Sequence, residues 1–401
     1  MTKRKIYILE NDFPFGHAEP YLSGEMNIAG HLNVNITVIP VNAGEAKDSA
    51  SGNFKVLVPD LKNYDRGLIP VGTKFFLLGL HLKDLLQSGN LNYIRENYKK
   101  NYSLLLRLYY NALKIGPQIK NDINGAVIYS YWCDNLALIG LFLKRECKNV
   151  KVISRAHGFD VFKSQTKHHY IPFRFFQFRQ LDRIFSVSKT GARQMQEEAG
   201  ENRSKIKVSY LGTLSNGVNP HAPIELNIVS CSFIRNVKRL HLVVEVLKNF
   251  DQKLTWHVIG DGTELENLKE QAAALSSNIT VKFYGYLEEK ELHELYMRQP
   301  FTALISTSSN EGIPVSMMEA ISYGVPVIST NVGGCHEIVT EQTGILLAGN
   351  NVPEELNAEL RKLLNSKLNT TEFRAGAKEF WKENFSAQKN YTGFIKELVE
   401  L

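Results

Sequence analysis

The chain reads as two doubly wound α/β domains in tandem, on three observations. Short β-branched or aromatic runs alternate with helical stretches along its whole length, the pattern of parallel sheets with crossover helices. At 401 residues the chain is long for one domain and fits two of ordinary size. A stretch near 200–222, "EEAGENRSK" followed by "LGTLSNGVNPHAP", gathers Gly, Pro, Asn and charge, and marks a boundary.

The first domain opens with "KIYILEN" (5–11) and "NITVIPV" (35–41), which read as its first strands. "AVIYSYW" (126–132) follows after a long helical region, then the helix "NLALIGLFLKREC" (135–147). "KVISRAH" (151–157) and "RIFSVS" (183–188) complete its strands. In the second domain "LNIVSCS" (226–232), "LTWHVIG" (254–260), "ITVKFYG" (279–285), "FTALIST" (301–307) and "VPVIST" (325–330) repeat the pattern. The helices between them include "RLHLVVEVLKNF" and "ELENLKEQAAAL". The tail, "FWKENFSAQKNYTGFIKELVEL", is helical in pattern and carries Trp381, Phe385, Tyr391 and Phe394, aromatics that need a docking place on either domain. The expected division is 1–203, 204–378 and a C-terminal helix over 379–401.

Composition limits the function. No apolar run reaches the roughly 18 residues of a membrane span. "MTKRKIYILEN" reads as a first strand and not as a signal peptide. The expected setting is therefore cytoplasmic, with peripheral contact at the inner face of the plasma membrane. The four cysteines (Cys133, Cys147, Cys231, Cys335) lack CxxC or CxxH spacing, and reduced thiols without zinc or redox chemistry are expected. The net charge of +6 is uneven: residues 1–200 hold 27 Lys/Arg against 17 Asp/Glu, and residues 201–401 hold 20 against 24. A basic first half predicts an anionic partner there. Without a zinc-finger or RNA-recognition motif, nucleic acid is the least favoured candidate.

The stretch "SSNEGIPVSMMEAISYGVPVIST" (308–330) carries the chemistry. Pro314 suits a helix start and Gly324 its end. Glu319 falls on a wheel beside Val315, Met318 and Ser322, so its carboxylate needs a buried partner or a ligand with hydroxyls or amides to donate. Glu311 sits at the helix start, where the amides of Gly312 to Val315 attract anions and an acid can also serve as a cap. "SRAHGFDVF" sets His157 and Asp160 at the end of a strand, where open α/β sheets hold ligands. "NYIRENYKKNYSLLLRLYYNALK" (92–114) and "YIPFRFFQFRQLDR" (170–183) mix aromatics with Lys and Arg. They fit helices that bury their rings, or docking to an anionic leaflet or a lipid-diphosphate acceptor.

Together, "EGIPVSMMEAISYGVPVISTNVGGCHEIV" resembles the donor-site signature of the retaining family-four glycosyltransferases of the GT-B fold. The matching residues are Glu311, Glu319, Gly324, Pro326, Val327, Gly333, Gly334 and Glu337. The resemblance covers most of the chain and implies two Rossmann-like domains facing across a cleft. The first domain would bind the acceptor and the second the sugar nucleotide. It implies that Glu319 takes the ribose hydroxyls, that Glu311 meets the donor sugar near the reacting carbon, and that the backbone of Gly312, Ile313, Pro314 and Val315 lines sugar and phosphate. "VIGDGTELENL" resembles the Gly-Asp-Gly turn of the second domain, and "FYGYLEEKELHELY" the base-binding backbone at Gly285, Tyr286 and Leu287. "IVSCSFIRNVKRLHLVVEVL" fits the basic clamp on the diphosphate. Lys238 aligns with its lysine, Phe233 stands where an arginine is usual, and Arg235 or Arg239 would substitute. "NDFPFGHAEPYLSGEM" resembles the first loop of exopolysaccharide-type members, with Gly16 toward the phosphate and Glu19 on the acceptor side. His157 matches the family's cleft histidine, with Asp160 on the acceptor side.

The resemblance implies retention, a donor that is commonly UDP-linked, a glycan or lipid-linked saccharide acceptor, and no metal, since no DxD-like pair is present. Two other readings fit the sequence less well: a UDP-sugar 2-epimerase of the same fold, and a nucleotide-sugar or glycan-binding protein without turnover.

Overall fold

The computed structural model describes residues 4–15, 20–43, 49–51, 54–147, 149–214, 217 and 223–401. The chain forms two compact units, Met1–Tyr210 with Tyr391–Leu401, and Leu211–Asn390.

The first unit contains β1 (Lys5–Glu10), α1 (Pro20–His31), β2 (Asn35–Pro40), β3 (Ser49–Ser51), β4 (Phe54–Val56), α2 (Val71–Ser88), α3 (Leu91–Asn97) and α4 (Lys100–Ile119). It continues with β5 (Val127–Ser130), α5 (Asn135–Glu146), β6 (Lys151–Ala156), α6 (Arg174–Gln180), β7 (Arg183–Ser186), α7 (Lys189–Ala199) and β8 (Ile206–Val208). The sheet order is β3-β4-β2-β1-β5-β6-β7-β8, parallel except for the β3–β4 pair. Strands buried on both faces read as continuous apolar runs: Ile6 to Leu9 and Val127 to Tyr129 are at most 4% exposed. Between them the chain reverses direction across the sheet, which makes the C-terminal ends of β1 and β5 a ligand position.

Crossover helices are stopped and started by local chemistry. Asp134 caps α5 by accepting from Leu136 N at 2.9 Å, and Ser188 caps α7 by accepting from Gly191 N at 3.0 Å. Gly89, at φ 57°, ends α2 in the left-handed region. Tyr93, Tyr109 and Tyr110 are buried in the core. Most rings of the 92–114 segment therefore pack inward, as an amphipathic helix should.

The second unit contains β9 (Leu226–Cys231), α8 (His241–Lys248), β10 (Leu254–Ile259), α9 (Leu265–Ala273), β11 (Ile279–Gly285), α10 (Glu289–Arg298) and β12 (Ala303–Ser306). It ends with α11 (Val315–Ser322), β13 (Val327–Thr330), α12 (Cys335–Ile338), β14 (Gly344–Leu347), α13 (Val352–Lys362) and α14 (Thr371–Asn384). Its parallel sheet runs β11-β10-β9-β12-β13-β14 and switches direction between β9 and β12.

The last helix, α15 (Ala387–Glu400), begins in the second unit and ends in the first. The divisions at 210/211 and 390/391 differ from the expected 203/204 and 378/379 for a physical reason. β8 pairs with β7 and extends the first unit. Thr213 holds the end of α14 in the second, accepting from Trp381 Nε1 at 2.8 Å and donating from its amide to the Phe385 carbonyl at 3.0 Å. Beyond Asn390, the Phe394 ring lies 5.2 Å from Tyr129 and 5.1 Å from Phe185 in the first unit.

Candidate active site

In the second unit the loops after β9, β10 and β11 are bonded to one another. Ser232 N donates to the Ile259 carbonyl at 3.1 Å, Ile234 N to Asp261 at 2.8 Å and Gly260 N to Gly285 at 2.7 Å. The approach is close enough that a Cβ at Gly260 (φ 122°) would collide with the Ser232 carbonyl. The Gly-Asp-Gly turn therefore has a packing reason. It ties Gly285, which the exposed Tyr286 and then Leu287 follow, to the loop after β9.

That loop is locked to the one after β12. Arg239, itself in the left-handed region at φ 48°, donates from Nε to the Thr307 carbonyl at 2.8 Å and from Nη2 to Ser308 at 3.2 Å. Thr307 Oγ1 donates back to the carbonyls of Lys238 and Arg239, each at 3.0 Å. Arg239, expected on the diphosphate, is thus turned to backbone carbonyls and shapes the loop. Arg235 is exposed, with its guanidinium 5.5 Å from the ring of Phe233. Lys238 Nζ lies 2.6 Å from Glu311 Oε1, with the two side chains 21% and 11% exposed.

The loop carrying Glu311 is in turn held by the glycine pair. Gly334 N donates to the Gly312 carbonyl at 2.9 Å, and a Cβ at Gly333 (φ 52°) would collide with the Glu311 carbonyl. Pro314 stands at the N-cap of α11 and no side chain caps that helix, so first-turn amides are available to an anion. Ile313, Pro314 and Val315 are buried, while Gly312 is partly exposed.

One turn into α11, Glu319 meets no hydrogen-bond donor or cation at its carboxyl among the described residues. Burial, and then the neighbouring charge of Glu289, push its pKa up to about 8. Its field also raises the Cys231 thiol at the end of β9, second to that thiol's own burial. Lys238, Glu311 and Glu319 therefore gather where the second sheet switches direction, on elements that are far apart in sequence.

In the first unit His157 follows β6. Its ring lies 4.8 Å from Tyr131 and 4.4 Å from Trp132, and neither ring nitrogen has a hydrogen-bond partner among the described residues. Burial, then the Arg155 charge, drive its pKa well below the usual histidine value, so the imidazole is neutral. Asp160 is 1% exposed and committed. It accepts from His157 N at 2.8 Å, Gly158 N at 2.9 Å and Cys133 N at 2.9 Å, so it shapes the turn that presents His157. Gly16 and Glu19 lie outside the described residues. Just before them, Glu10 is fully buried at the end of β1 and braces the loop, accepting from Asp12 N and Phe13 N at 2.7 Å each.

Sequence reasoning did not single out Glu10, Trp132 or the pair Arg155–Glu25. Arg155 Nη1 lies 2.5 Å from Glu25 Oε2, both fully buried, with the guanidinium 4.1 Å from the Phe394 ring. A charged residue inside the apolar strand "KVISRAH" is the one signal that could have found it. Among the described residues no group of three His, Cys, Asp or Glu is clustered to hold a metal.

The family described as glycosyl transferases group 1 matches residues 219–380, the span that contains this donor-side geometry. Among curated proteins, an uncharacterized glycosyltransferase of Methanocaldococcus jannaschii is 26% identical over 296 residues, 73% of this chain and 80% of that protein. The O-antigen biosynthesis glycosyltransferase WbnH of Escherichia coli is 28% identical over 51% of this chain and 58% of its own length. The putative colanic acid biosynthesis glycosyltransferase WcaL of Escherichia coli K12 is 27% identical over 50% and 52%. With these last two the match therefore spans little more than half of the relative. Among solved structures, the lipopolysaccharide outer core galactosyltransferase WaaB superposes with a TM-score of 0.70 at 16% identity, covering 98% of this chain and 99% of that one. Anabaena HepE, solved with UDP and glucose, gives 0.69 at 15% identity over 99% and 100%. Residues 219–380 match glycosyl transferases group 1, and the chain is a glycosyltransferase with the GT-B fold.

Proposed function

We propose that the protein transfers a sugar from a UDP-linked donor to a hydroxyl of a glycan or lipid-diphosphate-linked acceptor in cell-surface polysaccharide synthesis, with retention at the anomeric carbon. The observation that carries this reading is Glu319, a recessed carboxyl in α11 without a donor among the described residues, on the helix that follows the loop of the Lys238–Glu311 pair. A ribose diol supplies the two hydroxyl donors that Glu319 lacks. Lys238 and the first amides of α11 supply positive charge for the diphosphate, and Glu311, released from Lys238, accepts from hydroxyls of the donor sugar.

In the reaction, the bond between the anomeric carbon and the diphosphate oxygen breaks as the acceptor oxygen bonds to that carbon from the same face. The acceptor proton passes to the departing phosphate, which leaves as nucleoside diphosphate. Lys238 stabilises the charge that develops on the leaving group. Neutral His157 donates or accepts a hydrogen bond at a substrate hydroxyl without adding charge. Arg235, exposed and stacked on Phe233, is the better candidate for the second cation, since Arg239 is spent on carbonyls. The cationic clamp gives a reaction that proceeds in EDTA.

The names of two relatives support the acceptor class, because O-antigen and colanic acid are surface polysaccharides. The test is release of nucleoside diphosphate from a panel of UDP-, GDP- and ADP-sugars, with membrane-extracted acceptors and a Glu311→Ala control. Acceptor-dependent release from one donor, abolished in the control, supports the reading. Nucleotide-sugar binding without any acceptor-dependent release, or an epimerised sugar as product, overturns it.

A further inference from the structure

Helix α2 buries one face and leaves an apolar stripe on the other. Thr73, Leu77, His81, Asp84 and Leu85 are buried. Val71, Phe75, Leu82 and Leu86 are 66%, 70%, 50% and 81% exposed. At roughly 100° per residue these four fall within an arc of about 60°. Just beyond the helix ends in sequence, Leu68 is 58% exposed and Leu91 82% exposed. Scattered apolar side chains on a surface need no account, but a contiguous row along a helix of 18 residues, about 27 Å, does.

The charges around the row say what fits it. Lys74 and Lys83 lie about 60° to either side of the stripe on the same wheel. Between Asp60 and Arg107 the chain carries eight Lys or Arg against four Asp or Glu. Three of those acids are engaged: Asp84 is buried, Glu96 pairs with Lys167 and His168, and Asp65 caps Gly67. An apolar row between lysines matches a lipid surface with anionic headgroups, where the row enters the acyl boundary and the lysine stems reach back to phosphate. A second copy would bring two basic rims together.

We infer that the outer face of α2, through Val71, Phe75, Leu82 and Leu86 with Lys74 and Lys83 as flanks, docks the enzyme on an anionic lipid bilayer without crossing it. The described helices agree with the second half of that statement, since none is long and apolar enough to span a membrane. The inference relocates the lipid contact from the 92–114 and 170–183 segments, whose rings mostly face the core. It stands apart from the donor chemistry, so its failure leaves the transferase reading intact.

The test is co-sedimentation of the full chain with vesicles of equal parts phosphatidylglycerol and phosphatidylcholine, against pure phosphatidylcholine. The expected result is about tenfold more protein on the anionic vesicles, reduced by salt, and a loss of similar size in Phe75→Asp/Leu82→Asp/Leu86→Asp. UDP-sugar binding by that variant, measured in solution, stays unchanged and shows that it is folded. Should the triple variant fail to fold, Lys74→Glu/Lys83→Glu carries the test, with binding to anionic vesicles reduced. Equal binding to both vesicle types, or binding that survives the substitutions in folded protein, overturns the inference. Absence from vesicles combined with a dimer that the triple variant dissociates also overturns it, and makes the stripe an interface between copies.

Discussion

Lys238 Nζ and Glu311 Oε1 stand 2.6 Å apart although they lie 73 positions apart in the chain. Each is partly shielded, so the pair neutralises two charges that would otherwise be costly beside the apolar start of α11. In the proposed reaction the donor takes both partners from each other, its phosphate facing Lys238 and its sugar Glu311. Lys238→Ala should weaken UDP binding about tenfold, the value of one charge-assisted hydrogen bond of ~1.5 kcal/mol. Glu311→Ala should leave UDP affinity within a few-fold and lower kcat/KM about 10²-fold or more. Calorimetry with UDP and steady-state kinetics separate the two; equal loss of UDP binding in both would contradict this division of roles.

Glu319 predicts a pH dependence with a definite sign. With its pKa pushed up to about 8, the free enzyme holds the carboxyl protonated at neutral pH. Ribose hydroxyls donate to the ionised form, so UDP affinity should rise as pH increases toward 8 and then level off. Stability moves the other way. Because the folded value is raised, the penalty is absent below the unfolded carboxyl's range near 4.5, grows as pH rises, and is complete above about 8. Glu319→Gln should therefore raise Tm more at pH 9 than at pH 6, by an amount worth a few kcal/mol at most, and should flatten the UDP profile. A Glu319→Gln profile parallel to the wild type would remove Glu319 from the binding site.

His157 should show no titration near its ordinary value. Burial and Arg155 keep the ring neutral, so the kcat profile should lack a limb near pH 6.5 that disappears in His157→Ala. The variant itself should lose roughly 10²-fold in kcat, in the range of a single positioned hydrogen-bonding group. Nuclear magnetic resonance of the imidazole checks the protonation state directly.

Gly333→Ala should damage the donor side from outside it. The new methyl would meet the Glu311 carbonyl in a backbone region that alanine avoids, costing about 1–3 kcal/mol and displacing Glu311. Activity should fall at least about tenfold, the response expected when a reacting group is misplaced by a fraction of an ångström. Gly349→Ala is the comparison: also at positive φ (88°) but with open space around it, it should cost stability alone.

Arg155→Leu should release the end of α15. It leaves Glu25 buried without its cation and removes the guanidinium over Phe394, for a cost of about 3–5 kcal/mol. Hydrogen exchange over 391–400 should rise before exchange in the second unit does. Uniform change across the chain would mean that the pair stabilises the fold generally and not this helix.

Strand positions were legible because most central strands are buried on two faces and read as short runs rich in β-branched and aromatic residues. "ITVKFYG" is β11 without a residue to spare, and "LNIVSCS" and "LTWHVIG" each exceed their strands by one. The short strands β3, β4 and β8, at or next to the sheet edges, were not legible, since each has only three residues and their hydrogen bonds come from a neighbour and not from a pattern. Glu311, Glu319 and the glycine turns were readable as a motif because their spacing is local, set by one loop and one helix.

By itself the sequence determined two parallel α/β sheets, because these follow from short-range periodicity, and its resemblance to a donor-site signature picked out the residues around the start of α11. The tertiary structure alone decided which charged groups remain open. Asp160 and Arg239 looked as available as Glu319 and Lys238, yet the first two are consumed by backbone amides and carbonyls. Glu25 finds Arg155 across 130 positions of chain. Whether a buried charge is paired, braced or left for a ligand depends on partners that long-range packing delivers, and no local pattern encodes them.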